Sequence, residues 1–361
     1  MTAIRPLERD DLPQVASLYQ VVMRSGARAA APRTEAFFAR TLLDHPWADP
    51  EIPSLVQSNE RDEVIGFLGS HTRRLRFDGE RVRAAYVGHL MAAPQAGRRP
   101  VGAILLRKFL GGPQELSITD TAAEPTRRMW KALGGRLAHL SGITWTRVFR
   151  PGRLAGELLS QRRGRDTPGR LARPLSSALD AMAARVAGDV LRVEPPRSSA
   201  VPLTSASLLD GLSSLADSLR LQVDYDEEFL DWTFAELERL EGRGRVVRCL
   251  VRADDRVLGW YVYLLRAGGV SQVLQVAADE RDVGAVLDHL FHHAQTSGAA
   301  ALHGRVEPRL LESLTRRKCL LIDRGRTLFH SRRPELVSTA TSPDAFLTRM
   351  DGEWWSAPPS G

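Results

Sequence analysis

Residues 92–106 read AAPQAGRRPVGAILL, and residues 277–287 read AADERDVGAVL. In each, a pair of small residues ends an apolar run, RAAYVGHLMAA from Arg83 and VLQVAA from Val273, while a Val-Gly-Ala opens an amphipathic one. Both predict the same junction, strand to loop to helix. The loops differ. The first runs from Pro94 to Pro100 and holds Gly97, Arg98 and Arg99; the second is Asp279 to Asp282, with three acids in four residues. A phosphate cradle needs backbone N–H groups converging at a helix start, with cationic support. The first loop meets that need, whereas the second is short and of the wrong sign, so at most the first copy is expected to hold a phosphorylated ligand.

Working outward, the likeness extends to the flanking segments. TEAFFARTLLDHP is answered by DEEFLDWTFAELE, Phe229 following Phe37 by 192 positions, and VQSNERDEVIGFLG is answered by VRADDRVLGWYV. Each copy reads as helix, strand, charged turn, strand, turn, strand, loop and helix. Self-similarity at this scale predicts two copies of one α/β unit.

The chain has 361 residues, enough for two cores, and no apolar run long enough to span a bilayer or charged-then-apolar leader at Met1, so a cytoplasmic protein with no membrane partner is expected. Its net charge of +7 invites a nucleic-acid reading, but only Lys108, Lys131 and Lys318 are lysines. Eleven arginines against five acids between Arg147 and Arg197 account for six of the seven charges, in a segment also rich in Pro and Gly. We read residues 151–204 as a basic linker with one amphipathic helix (Leu175, Leu179, Met182, Val186, Val190), between a domain at 1–150 and a second at 205–361. Nucleic acid is not expected as a partner. Cys249 and Cys319 read as core thiols, and His289 and His293 as a polar helix face rather than a metal site, since no third ligand is near in the sequence. The Trp pair in MDGEWW, residues 350–355, reads as an anchor for the tail.

Gly97-Arg98-Arg99-Pro100-Val101-Gly102 after Ala92-Ala93, and AEPTRRMWKALGG from Ala123 after the strand ELSITD, resemble two motifs of the GNAT superfamily of acyl-CoA-dependent N-acyltransferases. The order of elements over residues 3–150 fits that family, and residues 205–333 fit it more weakly. The resemblance implies an α/β (α+β) fold of two tandem GNAT-like domains, each a mixed, mostly antiparallel sheet flanked by helices, the second degenerate. It implies acetyl-CoA or another acyl-CoA as co-substrate, bound by Met91, Ala92, Ala93, Gly97, Arg98, Arg99, Val101 and Gly102. There are departures: Gly97 stands where the motif has Arg or Gln, Pro100 lacks an N–H, and Trp130 stands where the family often has an acid Tyr.

In the reaction the resemblance implies, an amine attacks the thioester directly and a backbone N–H stabilises the oxyanion. A thiol pKa of about 8.5 lets the thiolate leave without a strong acid. The amine must lose a proton, and His89, Tyr86 and Asp120 are the candidate catalytic groups. The acceptor amine is unidentified, and the second copy is expected to shape its site or a homodimer interface. Two other readings stand beside this one: a non-catalytic GNAT-fold scaffold, and an aminoacyl-tRNA-dependent transferase supported by the basic linker.

Overall fold

The structure, a computed structural model, describes residues 3–24, 32–97, 99–162, 180, 191–215, 219–240 and 242–355. Arg98 and the amphipathic helix expected at 175–190 lie outside them.

The first half begins with strand β1 (Ala3–Pro6), helices α1 (Leu12–Arg24) and α2 (Pro32–Phe38), and strands β2 (Leu55–Ser58), β3 (Val64–Phe77) and β4 (Glu80–Ala92). After the loop come α3 (Val101–Leu110), β5 (Leu116–Thr119), α4 (Glu124–Ala132), β6 (Arg136–Leu137) and β7 (Ile143–Val148). The second half supplies β8 (Ser199–Pro202), β9 (Leu221–Val223), β10 (Arg245–Ala253), β11 (Arg256–Leu265) and β12 (Val270–Ala278). Following the helix Val283–Thr296 are β13 (Ala301–Arg305), β14 (Leu320–Asp323), β15 (Leu328–His330) and β16 (Ala345–Phe346).

Among the described residues these strands form two sheets with matching order. The first runs β1-β2-β3-β4-β5-β15-β6, with β9 and β16 attached beside β3; the second runs β8-β10-β11-β12-β13-β7-β14. Within these two main paths, β4 with β5 and β12 with β13 are the parallel neighbours. The penultimate strand of each sheet comes from the other half. β7 lies between β13 and β14, and β15 between β5 and β6, all antiparallel. Each half therefore closes the other's sheet.

Side chains alternate between faces, as strand geometry requires. In β4, Val82, Ala84 and Tyr86 join a core between the two sheets, while Ala85, Val87 and Met91 join a core beneath α1 and α3. In β11, Trp260, Val262 and Leu264 face the shared core, and Tyr261 and Tyr263 face the helix Val283–Thr296. The fold is thus two mostly antiparallel sheets about one shared core, which also takes in the helices Ser205–Leu215 and Glu227–Glu238, with α1, α2 and α3 on the other face of the first sheet and the helix Val283–Thr296 on the other face of the second. Among the described residues, no helix is long and apolar enough to cross a membrane. Both cysteines are half-buried, and burial raises each thiol pKa, Cys319 to about 12, which keeps them protonated and unreactive.

Candidate active site

The β4–β5 ladder ends at Tyr86 and Ile118, although β4 continues to Ala92. Beyond that point the two strands part, leaving a V whose left wall is the unpaired edge of β4. Opposite, along β3, the register slips: Phe67 faces Met91 but Gly69 faces Gly88, so His89 and Leu90 together oppose Leu68. This is a β-bulge, and His89 adopts a left-handed φ of 54° within it. Such a bulge twists the strand and re-aims its backbone at the mouth of the V.

The 92–106 stretch forms the rim of this V. Residues Pro94–Ala96 make one turn of 3-10 helix, and Gly97 turns the chain with φ 61°, which a side chain would resist. The N–H groups of Ala93, Gly97, Arg99 and Val101 are held by the carbonyls of Ile65, Pro94, Ala96 and Arg99. Helix α3 has no side-chain cap, so its positive end is open to an anion. A Cβ on Gly102 would lie 3.8 Å from Leu90 and 3.7 Å from Met129, which sets the first turn of α3 directly over the bulge. Arg99 is exposed beside it, as is Ala92, while Met91 and Ala93 turn their side chains into the core and contribute backbone. These residues suit a pyrophosphate on the helix and a pantetheine arm along the β4 edge.

Of the three candidate catalytic residues, Tyr86 and Asp120 lie on the shared-core face and His89 on the other. Tyr86 is fully buried, its hydroxyl has no hydrogen-bond partner among the described residues, and burial together with the charges of Asp351 and Asp120 raises its pKa. Asp120 ends β5, with its Oδ2 3.8 Å from Arg305. The His89 ring instead packs edge-on against Phe38 and Tyr19, 5.3 and 5.8 Å between centroids, and lies 6.0 Å from His71. Burial, reinforced by Arg243, lowers its pKa to about 4, so it is a neutral imidazole whose Nδ1 has no partner among the described residues.

The group that enters the V comes from the far end of the chain. The carboxyl of Glu353 accepts hydrogen bonds from the Thr119 hydroxyl (2.8 Å), the Asp120 N–H (2.8 Å), the Thr121 N–H (3.2 Å) and the Thr121 hydroxyl (3.0 Å). Its Cγ lies 3.0 Å from where a Cβ on Gly88 would be, so it sits between the parted strands. Burial, added to the neighbouring Asp120 carboxyl, pushes the Glu353 pKa well above the carboxylate range. Sequence reading treated MDGEWW as an anchor: Trp355 is one, fully buried with its indole N–H on the Met350 carbonyl at 2.9 Å. Glu353 was missed, and the available signal was an acidic pair flanking Gly352 inside an otherwise apolar tail.

The same tail fills the corresponding V of the second sheet. The β12–β13 ladder ends at Gln272 and His303, β12 bulges by one residue at Leu274, and the Met350 N–H donates to the Leu274 carbonyl at 3.0 Å. Two acids of the short second loop are bound by arginines, Asp282 by Arg256 at 3.0 Å and Asp279 by Arg281 at 3.5 Å, and Asp282 makes no side-chain cap on the following helix. His289 and His293 meet the hydroxyls of Tyr261 and Tyr263 at 3.0 and 2.8 Å. Trp130 is fully buried in the first-half core, with no partner for its indole N–H among the described residues, and takes no part in the V.

No protein-family model matches the sequence, and a comparison with curated proteins finds no match. Solved structures do match. A GCN5-related N-acetyltransferase from Anabaena variabilis aligns with TM-score 0.61 at 10% identity, over 92% of this chain and 74% of its own. One from Kribbella flavida gives TM-score 0.55 at 16% identity, over 92% and 72%. Saccharomyces cerevisiae N-myristoyltransferase, solved with bound myristoyl-CoA, gives 0.52 at 10% identity, over 91% and 77%. With its paired sheets, parted parallel strands and bulged β4, the chain has the GNAT fold, built twice along one polypeptide.

Proposed function

We propose that the first half is an acyl-CoA-dependent N-acyltransferase, with the V between β4 and β5 as its reaction centre. The acyl-CoA supplies an activated carbonyl, held by the open end of α3, by Arg99 and by the β4 backbone. The observation that carries this reading is the Glu353 carboxyl lodged in the V on the Asp120 and Thr121 N–H groups, with its protonated form favoured by burial and by the neighbouring Asp120 carboxyl. An amine that bonds to a thioester carbon sheds a proton, and the sulfur that departs needs one. A protonated Glu353 can give its proton to the departing sulfur and, as the carboxylate, take the one the amine sheds, which is acid–base work without the missing tyrosine. The amine nitrogen gains the acyl carbon, the carbon–sulfur bond breaks, and Glu353 ends as it began. His89, neutral and walled by aromatic rings, supports the bulge in this scheme and does not carry protons.

The experiment is steady-state acetyl transfer from acetyl-CoA across an amine panel, read by free-thiol release, on wild type and Glu353→Gln. Loss of turnover in the variant, with acetyl-CoA affinity kept, supports the reading. Full turnover in the variant contradicts it.

A further inference from the structure

A cleft of about 430 Å³ opens on the shared-core side of the V, a size suited to a small molecule. It is bounded by the end of β5, by β13, by the chain entering β15 and by the tail at Arg349 and Trp354. Four arginines line it, Arg305, Arg324, Arg326 and Arg349, and the one acid in its lining is Asp120, toward the V. Many arginines outside the cleft are matched with carboxylates, as Arg256, Arg317 and Arg333 are. In the cleft, Arg305 has Asp120 Oδ2 at 3.8 Å, and the other three have no carboxylate partner among the described residues. Arg324 and Arg326 are exposed and make no ion pair among the described residues. Arg349 stacks over Trp354 at 4.0 Å and bonds a neutral partner, Gln272, at 3.2 Å. Arg305 is buried, gives one N–H to the Leu347 carbonyl at 2.6 Å, and its Nε has no hydrogen-bond partner among the described residues. Gathering four guanidinium groups around one carboxylate is costly unless an anion joins them.

We propose that this cleft binds the acceptor, and that the acceptor is a primary amine carrying a second, anionic group such as phosphate. The anion lies among the four arginines, where guanidinium forks suit its oxygens, and the amine points to Asp120 at the edge of the V. The role as acceptor site rests on the transferase reading above. The cleft's charge selects against polycationic amines and for small acidic ones.

The test is calorimetry on the full chain without coenzyme, titrating 2-aminoethyl phosphate and, separately, ethanolamine. The phosphorylated amine is expected to bind at least about tenfold more tightly, and the double variant Arg324→Ala, Arg326→Ala to lose that preference while binding acetyl-CoA as the wild type does. Equal binding of the two amines, or an unchanged preference in the double variant, overturns the proposal. So does weakened acetyl-CoA binding in that variant, which would assign the arginines to the phosphates of the coenzyme. A wild type that binds the phosphorylated amine but not acetyl-CoA would count against the transferase reading alone, since the amine titrations contain no coenzyme.

Discussion

Glu353 and His89 carry opposite electrostatic signatures, and both can be read from the pH dependence of stability. The Glu353 carboxyl is raised above its ordinary value, so its contribution is complete at acid pH and is lost as pH rises through the raised pKa. Wild type should therefore lose stability relative to Glu353→Gln as pH rises above the ordinary carboxylate range, measured by urea denaturation. The same substitution should cut acetyl transfer by about 10²-fold, the lower end of what acid–base help supplies. His89 behaves conversely: with its pKa lowered to about 4, it stabilises above the ordinary value near 6.5 and that stability is lost as pH falls through 4. The displacement corresponds to at most about 3 kcal/mol, and buried His45 and His71 act in the same direction. His89→Asn keeps a residue tolerant of the left-handed bulge and should flatten the acid limb of the stability curve. A limb that stays as steep would remove His89 from this role.

Among the elements, the exchanged strands and the tail decide which pieces can stand alone. A chain ending at residue 150 would lack β15, leaving β5 and β6 with exposed edges, and its β7 would have no sheet to join. We expect residues 1–150 to aggregate when made alone, as a sedimentation profile would show; a monodisperse, folded fragment would contradict the exchange. The tail has a similarly sharp dependence on Gly352, where an added Cβ would fall 2.0 Å from Asp120 Oδ2. Gly352→Ala should push Glu353 out of the V, lowering the melting temperature and the activity together, by roughly the 1–3 kcal/mol typical of overpacking. Much of the scaffold was legible in the sequence, because β3, β4 and the helix Val283–Thr296 have the apolar periodicity of their geometry. The exchange was not. ITWTRV alternates as any half-buried strand does, and its pattern carries no label for the sheet it joins. Glu353 was hidden for a related reason: its partners lie more than 230 residues earlier, and its chemistry comes wholly from them.

At the scale of the whole molecule, the two halves are pseudo-equivalent in topology and unequal in chemistry. Each sheet parts at the same place, and one tail threads both openings, placing a backbone N–H from Met350 in the second and a carboxyl from Glu353 in the first. The second V is thereby closed by main chain, and Asp279 and Asp282, paired with Arg281 and Arg256, bring negative charge to the start of the helix that follows. The contrast between AAPQAGRRPVGAILL and AADERDVGAVL was already visible in sequence as length and charge. Its cause in space, a shared tail that seals one copy and equips the other, needed the fold. The account thus requires a single coenzyme site per chain, in the first half. Isothermal titration with acetyl-CoA tests that requirement most directly. We predict one site per chain, weakened by Arg99→Glu and untouched by Arg281→Glu in the second loop; two equivalent sites, or no heat at millimolar acetyl-CoA, would contradict the account.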